Sequence, residues 1–266
     1  MMIFVVPLKS KTVTLSWDYT SKLLERCLHS ICNQTSADLK VIVACHEKPD
    51  VSFCDSRVKY VSVNYSPPDK LDYNAKRLDK VQKVAVGLRV AQEYDFSHAM
   101  IVDADDCVHR EVASFVNAHQ DEPGWYIDKG YRYIDRRKRI LPIDKDFDKI
   151  CATSIIVKPS VYNLPTKIDY DPVRYNSLLK NFIWHSKAKQ HLLDQNIYLK
   201  PLPFRGAIYI EPSNKDSLFN QRGLLNKFIE NPKMLVSPLK KSLFYFTKSN
   251  LFDDRMQLEF NFYPLA

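Results

Sequence analysis

The chain has 266 residues, a hydrophobic fraction of 45% and a net charge of +8. That is enough apolar content for one large α/β domain and too much for a disordered chain. The positive balance suits a polyanionic partner, and nucleic acid, an anionic lipid surface and a nucleotide diphosphate all qualify on charge alone. The 5 glycines form neither a G-x-G-x-x-G nor a Walker loop, and H-E-x-x-H and G-x-S-x-G are also missing, which excludes the usual dinucleotide and P-loop cradles.

Taken in chain order, residues 3–8 are an apolar run that predicts a buried strand. Over 19–32, Leu23, Leu24, Cys27, Leu28 and Ile31 recur at helical spacing, with Ser16 or Asp18 as the cap. Residues 39–45 and 58–63 predict two more strands, the second stopped by Pro67 and Pro68. Residues 79–94 read as a helix with Val81, Val84, Ala85, Leu88 and Ala91 on one face. A fourth strand, 98–102, runs directly into Asp103, Ala104, Asp105 and Asp106. Apolar strands alternating with helices imply a mostly parallel sheet covered on both faces, and such sheets bind ligands beyond the carboxyl ends of their strands.

The second half is less regular. Residues 125–134 mix aromatics with charges and predict a hairpin, 150–157 a strand, 175–193 a helical segment, and 199–210 a strand with a Pro-rich entry. Beyond Leu218 basic residues interleave with Phe, Leu and Tyr, so a boundary is drawn between 1–217 and 218–266. The 6 cysteines form no C-x-x-C pair, and Cys45 and Cys151 sit inside apolar runs; buried free thiols in a reducing compartment are expected. The N-terminal apolar run is too short for a leader, and no other segment reaches spanning length. A cytoplasmic protein, at most peripheral to the inner face of a membrane, is the expectation.

Three carboxylates in four positions after a strand are costly unless a cation neutralises them. Oxygen ligands on a sharp turn suit Mg2+ or Mn2+ with positions left open for phosphate oxygens. A solvated helix N-cap is the bland alternative; the place after an apolar strand favours chemistry.

The stretch HAMIVDADD at 98–106 resembles the Asp-x-Asp element of glycosyltransferases with the GT-A fold, in particular the inverting family 2. The strand at 3–7, the helix at 19–32, the strand at 40–45 and the helix at 80–91 with Gly87 follow that family's order. NFIWH at 181–185, a helix, and then 198–203 resemble its acceptor-side segment. The resemblance covers roughly the first four fifths of the chain, with boundaries loose by a few residues. It implies an α/β, GT-A (Rossmann-like) single domain with a mostly parallel central sheet covered by helices, plus a C-terminal extension. Within 1–217, residues 1–107 would be the nucleotide-sugar-binding half and 108–217 the acceptor-side half.

The activity so implied is metal-dependent, inverting transfer from a nucleotide-diphosphate sugar, a UDP-sugar in particular, to a glycan, lipid-linked or other hydroxyl acceptor in polysaccharide biosynthesis. Mn2+ or Mg2+ would be the cofactor. Asp103 would face the ribose and the metal, Asp105 would be the principal metal ligand, Asp106 would orient the turn, and Asp216 in SNKDS would make a late metal or diphosphate contact. Pro7 and Lys9 would lie beside the nucleotide, with Lys80 and Lys83 approaching it from the preceding helix. His46 stands where family members often place an Asp that reads the base, which leaves the base open. His185 stands where the family's carboxylate base is expected, and an imidazole can take a proton from an attacking sugar hydroxyl. Trp125, Tyr126, Tyr131 and Tyr133 would stack on an acceptor sugar or fill the core.

The positive residues form no stripe, so no nucleic acid is expected. The extension 218–266 would dock on a membrane, join a homo-oligomer or pack back on the body. Three other readings share the Asp cluster. They are a nucleotidyltransferase, whose N-terminal Gly-rich loop is missing here, a phosphohydrolase, whose motif wants Thr or Val where Cys107 stands, and a non-catalytic nucleotide-binding protein.

Overall fold

Strand β1 (Met2–Pro7) is buried at every position. Met2, Phe4 and Val6 join one apolar cluster while Ile3 and Val5 join another, so the strand is covered on both faces. The computed structural model describes residues 1–162, 164, 185–211, 247–251 and 253–265. Helix α1 (Trp17–Cys32) is capped by Ser16, whose side chain accepts the Tyr19 N–H, and Leu24, Cys27, Leu28 and Ile31 lie in the first cluster. Strands β2 (Leu39–Cys45) and β3 (Val58–Ser62) follow, then helix α2 (Tyr73–Ala91), capped by Asp72. It starts well before residue 79 because residues 73–78 are exposed or half-buried and carry no apolar periodicity to mark them. Val81, Val84, Ala85, Leu88 and Ala91 all lie in the second cluster.

Next come β4 (His98–Ile101), β5 (Cys107–Val108), α3 (Val112–Ala118), β6 (Gly124–Tyr126), β7 (Gly130–Ile134), β8 (Arg139–Ile143) and β9 (Ile155–Val157). The remaining described elements are α4 (His185–Asp194), β10 (Lys200–Pro201), β11 (Ala207–Glu211), β12 (Asn250–Leu251) and α5 (Asp254–Phe260). The large sheet has the order β10-β6-β9-β4-β1-β2-β3, and the smaller one β12-β8-β7-β11-β5. In the large sheet β9 alone runs against the other strands. The expected α/β architecture, a mostly parallel sheet with helices, is what the chain forms.

Three predictions for the second half are corrected. Residues 125–134 are not a hairpin: β6 pairs with β9 and β10 in the large sheet, β7 with β8 and β11 in the small one. The hairpin is β7–β8, turned through Arg136 at φ 66. The strand at 150–157 shrinks to Ile155–Val157, because Cys151 and Thr153 turn their side chains to a buried carboxylate instead. The run 199–210 splits into β10 and β11, which lie in different sheets, with Pro203, which has no N–H to give a ladder, between them. Residues 175–184 of the predicted helical segment lie outside the described residues.

The described part of the C-terminal segment packs on the small sheet. β12 pairs with β8, and Met256, Phe260 and Phe262 join Cys107, Tyr133, Ile140, Ile208 and Ile210 in a third cluster. No described helix is long and apolar enough to cross a membrane. All 6 cysteines are free, and only Cys54 among them is exposed.

One buried ion pair ties these parts together. Arg26 of α1 meets Asp135, at the end of β7, at 3.0 Å, both side chains being fully buried. Tyr19 donates to the same carboxylate at 2.6 Å, and Arg26 also donates to the Tyr263 carbonyl at 3.2 Å. Removing one partner of such a pair strands a buried charge, at a cost of about 3–5 kcal/mol. Asp135→Ala is therefore expected to lower the unfolding free energy by about that amount in a denaturant titration; an unchanged midpoint would contradict this role.

Candidate functional site

The two sheets meet along one rim. β4, β6 and β10 run the same way in the large sheet, and each passes beyond its carboxyl end into a strand of the small one, β5, β7 and β11. Between β8 and β9 the chain returns through a 3-10 turn at Phe147–Lys149. The Asp cluster is the first crossing. The Asp106 N–H donates to the Asp103 carbonyl at 3.0 Å, making a tight turn that leaves the four residues little room to rearrange.

Asp106 points inward. It is 1% exposed; its Oδ1 accepts the Ile210 N–H at 2.9 Å, and its Oδ2 accepts the Thr153 hydroxyl at 2.6 Å and the Cys151 thiol at 3.2 Å. Thr153 Oγ1 in turn accepts the Asp103 N–H at 2.9 Å. Burial pushes the Asp106 carboxyl well above the usual carboxylate range, and the charges of Asp105 and Asp103 add to it. Its role is to hold the turn.

Asp103 and Asp105 face a cleft of about 270 Å3. Pro7, Leu8, Lys9 and Val13 line it after β1, Thr20 and Leu23 from α1, and Lys76, Asp79, Lys80 and Lys83 from α2, with Ala104 between the two aspartates. The α2 residues lie at i, i+3, i+4 and i+7, one face of a helix. That face comes close to the sheet because Gly87 has no side chain: a Cβ there would sit 2.5 Å from Val5 Cγ1.

The charges in the cleft are interlocked. Lys80 pairs with Asp103. Burial alone would lower the Lys80 pKa, but the Asp103 carboxylate outweighs it and raises it. Burial raises Asp105, Lys9 opposes the rise and Asp103 adds to it. Lys83, 1% exposed, meets Asp79 at 2.8 Å, and burial lowers its pKa against the pull of Asp79.

The structure thus brings Pro7, Lys9, Lys83, Asp103 and Asp105 to one cleft. His46 is not in its lining. Its ring packs edge-on against Tyr65 at 5.0 Å, with Nδ1 3.8 Å from Asp79 Oδ1, so it backs the Asp79–Lys83 wall. Burial and then Lys83 lower its pKa. The neighbouring Glu47 accepts the Ser10 hydroxyl at 2.9 Å and the Lys11 N–H at 3.1 Å, which ties down the loop after β1. His185 is the first residue of α4, and its side chain lies outside the described residues. So does Asp216. Trp125 and Tyr133 are core residues.

Sequence reasoning missed Lys76 and Asp79, although their spacing with Lys80 and Lys83 on one helical face was there to be read. It also missed Thr153, which no local pattern connects to residues some fifty positions earlier.

No family model matches the chain, and no curated protein matches it. Among solved structures it is similar to TarS of S. aureus, with TM-score 0.44 and 11% identity over 79% of this chain and 36% of that one. It is also similar to S. aureus TarS 1-349 in complex with UDP-GlcNAc, with TM-score 0.41 and 10% identity over 79% of this chain and 58% of that one. A third is the 2-C-methyl-D-erythritol 4-phosphate cytidylyltransferase IspD of Francisella tularensis, with TM-score 0.41 and 12% identity over 85% of this chain and 97% of that one. The chain thus spans between about a third and three fifths of the TarS chains it matches.

Thr153→Val keeps the shape of the side chain but breaks the relay from the Asp103 N–H to the Asp106 carboxylate. A loss of about 1–3 kcal/mol is expected from the buried groups left unpaired, read by urea unfolding; a wild-type midpoint would show that the relay does not hold the turn.

Proposed function

We propose that the cleft binds a nucleoside diphosphate sugar and that the chain transfers the sugar to a hydroxyl acceptor. One observation carries this reading. Asp103 and Asp105 face a cleft lined by Lys9, Lys76, Lys80 and Lys83, while Asp106 of the same turn faces away. The lysines suit the charge of a diphosphate, and Pro7, Leu8, Val13 and Leu23 offer apolar surface to a base and ribose. Two carboxylates leave a Mg2+ or Mn2+ most of its coordination positions for phosphate oxygens and water, which is how nucleotide-linked metals are commonly held.

The residues therefore fit such an ion. Its chemistry would be to neutralise charge on the departing diphosphate. The chain's own part is to hold Asp103 and Asp105 in one turn, to set Lys80 against Asp103 and to shield the diphosphate from bulk water. His185, at the start of α4, is proposed as the base that takes the acceptor's proton in an inverting transfer, with UDP the leading nucleotide. Asp216 is proposed as a further diphosphate contact.

A screen of nucleotide sugars with Mn2+ should release a nucleoside diphosphate. Release of pyrophosphate in a parallel screen of nucleoside triphosphates with sugar phosphates would indicate nucleotidyl transfer, and release of orthophosphate from phosphomonoesters a phosphohydrolase. Asp105→Ala should abolish release and metal-dependent nucleotide binding while leaving the circular dichroism spectrum unchanged; full activity in excess EDTA would contradict a metal at the turn.

His185→Ala should slow transfer by roughly two to four orders of magnitude, the range for a lost general base, with donor affinity little changed. A base must be unprotonated to act, so the wild-type rate should fall on the acid side as the imidazole protonates, and the variant should lose that limb. Near-normal turnover in the variant, or retention of the donor's anomeric configuration in the product, would remove His185 from this role.

A further inference from the structure

A second group of carboxylates lies on the same rim, outside the cleft lining. Asp128 follows β6, and Asp146 and Asp148 belong to the return between β8 and β9. By strand register Asp128 is level with Asp103 but two strands away, roughly 10 Å at the usual strand spacing. One carboxylate oxygen from each of the three lies within 4.8 Å of the other two.

Three acidic side chains in a loop often share nothing but solvent. Here one of them is not solvated. Asp148 is 1% exposed, and its Oδ1 has no hydrogen-bond partner among the described residues. A buried carboxylate oxygen without a donor is costly to maintain. Lys189 of α4 comes only to 3.6 Å from the other oxygen, Oδ2, beyond hydrogen-bond reach, and rests over the Tyr126 ring at 4.1 Å. Asp128 is already oriented, with its Oδ1 accepting the Asp146 N–H at 2.9 Å. Asp146 is paired at 3.0 Å with Lys149. Lys149 and Lys189 pair with two of the carboxylates and Lys145 adds its field at Asp146, yet the buried Asp148 Oδ1 has no hydrogen-bond partner among the described residues.

We propose that Asp128, Asp146 and Asp148 form a binding site for a hard divalent cation, distinct from the Asp103/Asp105 turn. An all-oxygen set excludes soft metals. Carboxylates drawn together in this way are the oxygen donors that hard divalent cations take, and Ca2+ serves as the probe. A cation there would join the β6–β7 crossing to the Phe147–Lys149 turn, in competition with Lys189 of α4 for the Asp148 carboxylate. The site stands independently of the function proposed for the cleft.

The test is a calorimetric titration of Ca2+, and separately of Mn2+, into full-length protein stripped of metal and carrying Asp105→Asn to silence the turn. One Ca2+ per chain is expected. Adding Asp148→Asn or Asp128→Asn should weaken binding by about tenfold or more, because affinity at such sites follows ligand charge. Lys189→Gln should tighten binding, because the competing ammonium is gone; a purely structural ion pair predicts no such gain. Asp128→Asn retains an oxygen for the Asp146 N–H, so it keeps the test open if Asp148→Asn does not fold. Absence of binding at millimolar Ca2+, binding that survives both Asn substitutions, or weaker binding after Lys189→Gln would each overturn the site.

Discussion

The architecture of the cleft depends on one buried carboxylate. Asp106 accepts from Ile210 of the small sheet and from Thr153 and Cys151 on the approach to β9 of the large one. It thereby holds the two sheets at the line where the chain crosses between them. Thr153 passes the constraint on by accepting the Asp103 N–H. A carboxylate so placed is costly to desolvate, and three donors offset that cost. The consequence for chemistry is a division of labour within four residues: Asp106 faces in and anchors, while Asp103 and Asp105 are held facing out.

The opposite wall is set by packing rather than by polar bonds. α2 lies against β1 and β2, and Gly87 lets it approach Val5 closely. That approach carries Lys76, Asp79, Lys80 and Lys83 to the mouth of β1 and β4. Their charges are balanced in pairs, Lys83 by Asp79 and Lys80 by Asp103. An anionic ligand entering the cleft would compete for Lys80, and a cation would compete for Asp103. Under the proposed function, a nucleoside diphosphate arriving with its metal would answer both at once.

The parts of the fold legible in the sequence are those with long apolar runs. The apolar run 39–45 coincides with β2, and the apolar periodicity of α1 and α2 marks the faces that are buried, because burial leaves an unmistakable composition. The Asp turn was legible for the same reason, as an acidic cluster directly after an apolar strand. The small sheet was not. Its strands β5 and β12 are only 2 residues long, too short for any alternation to show, and β6 and β7 look like one hairpin because nothing local marks a change of sheet. Thr153 and Ile210 carry no signal of their own, since their partner Asp106 is reached only through tertiary folding. The Asp128, Asp146 and Asp148 cluster is spread over two crossings and was invisible for the same reason.

The most direct measurement is the position of a bound nucleotide. Crystals soaked with UDP and Mn2+ should show an anomalous Mn2+ peak beside Asp105, with the diphosphate between that ion and Lys80 and the base toward Pro7 and Leu8. A nucleotide bound elsewhere, or one bound in the cleft with no Mn2+ at Asp103 or Asp105, would contradict a metal-dependent donor site at this turn.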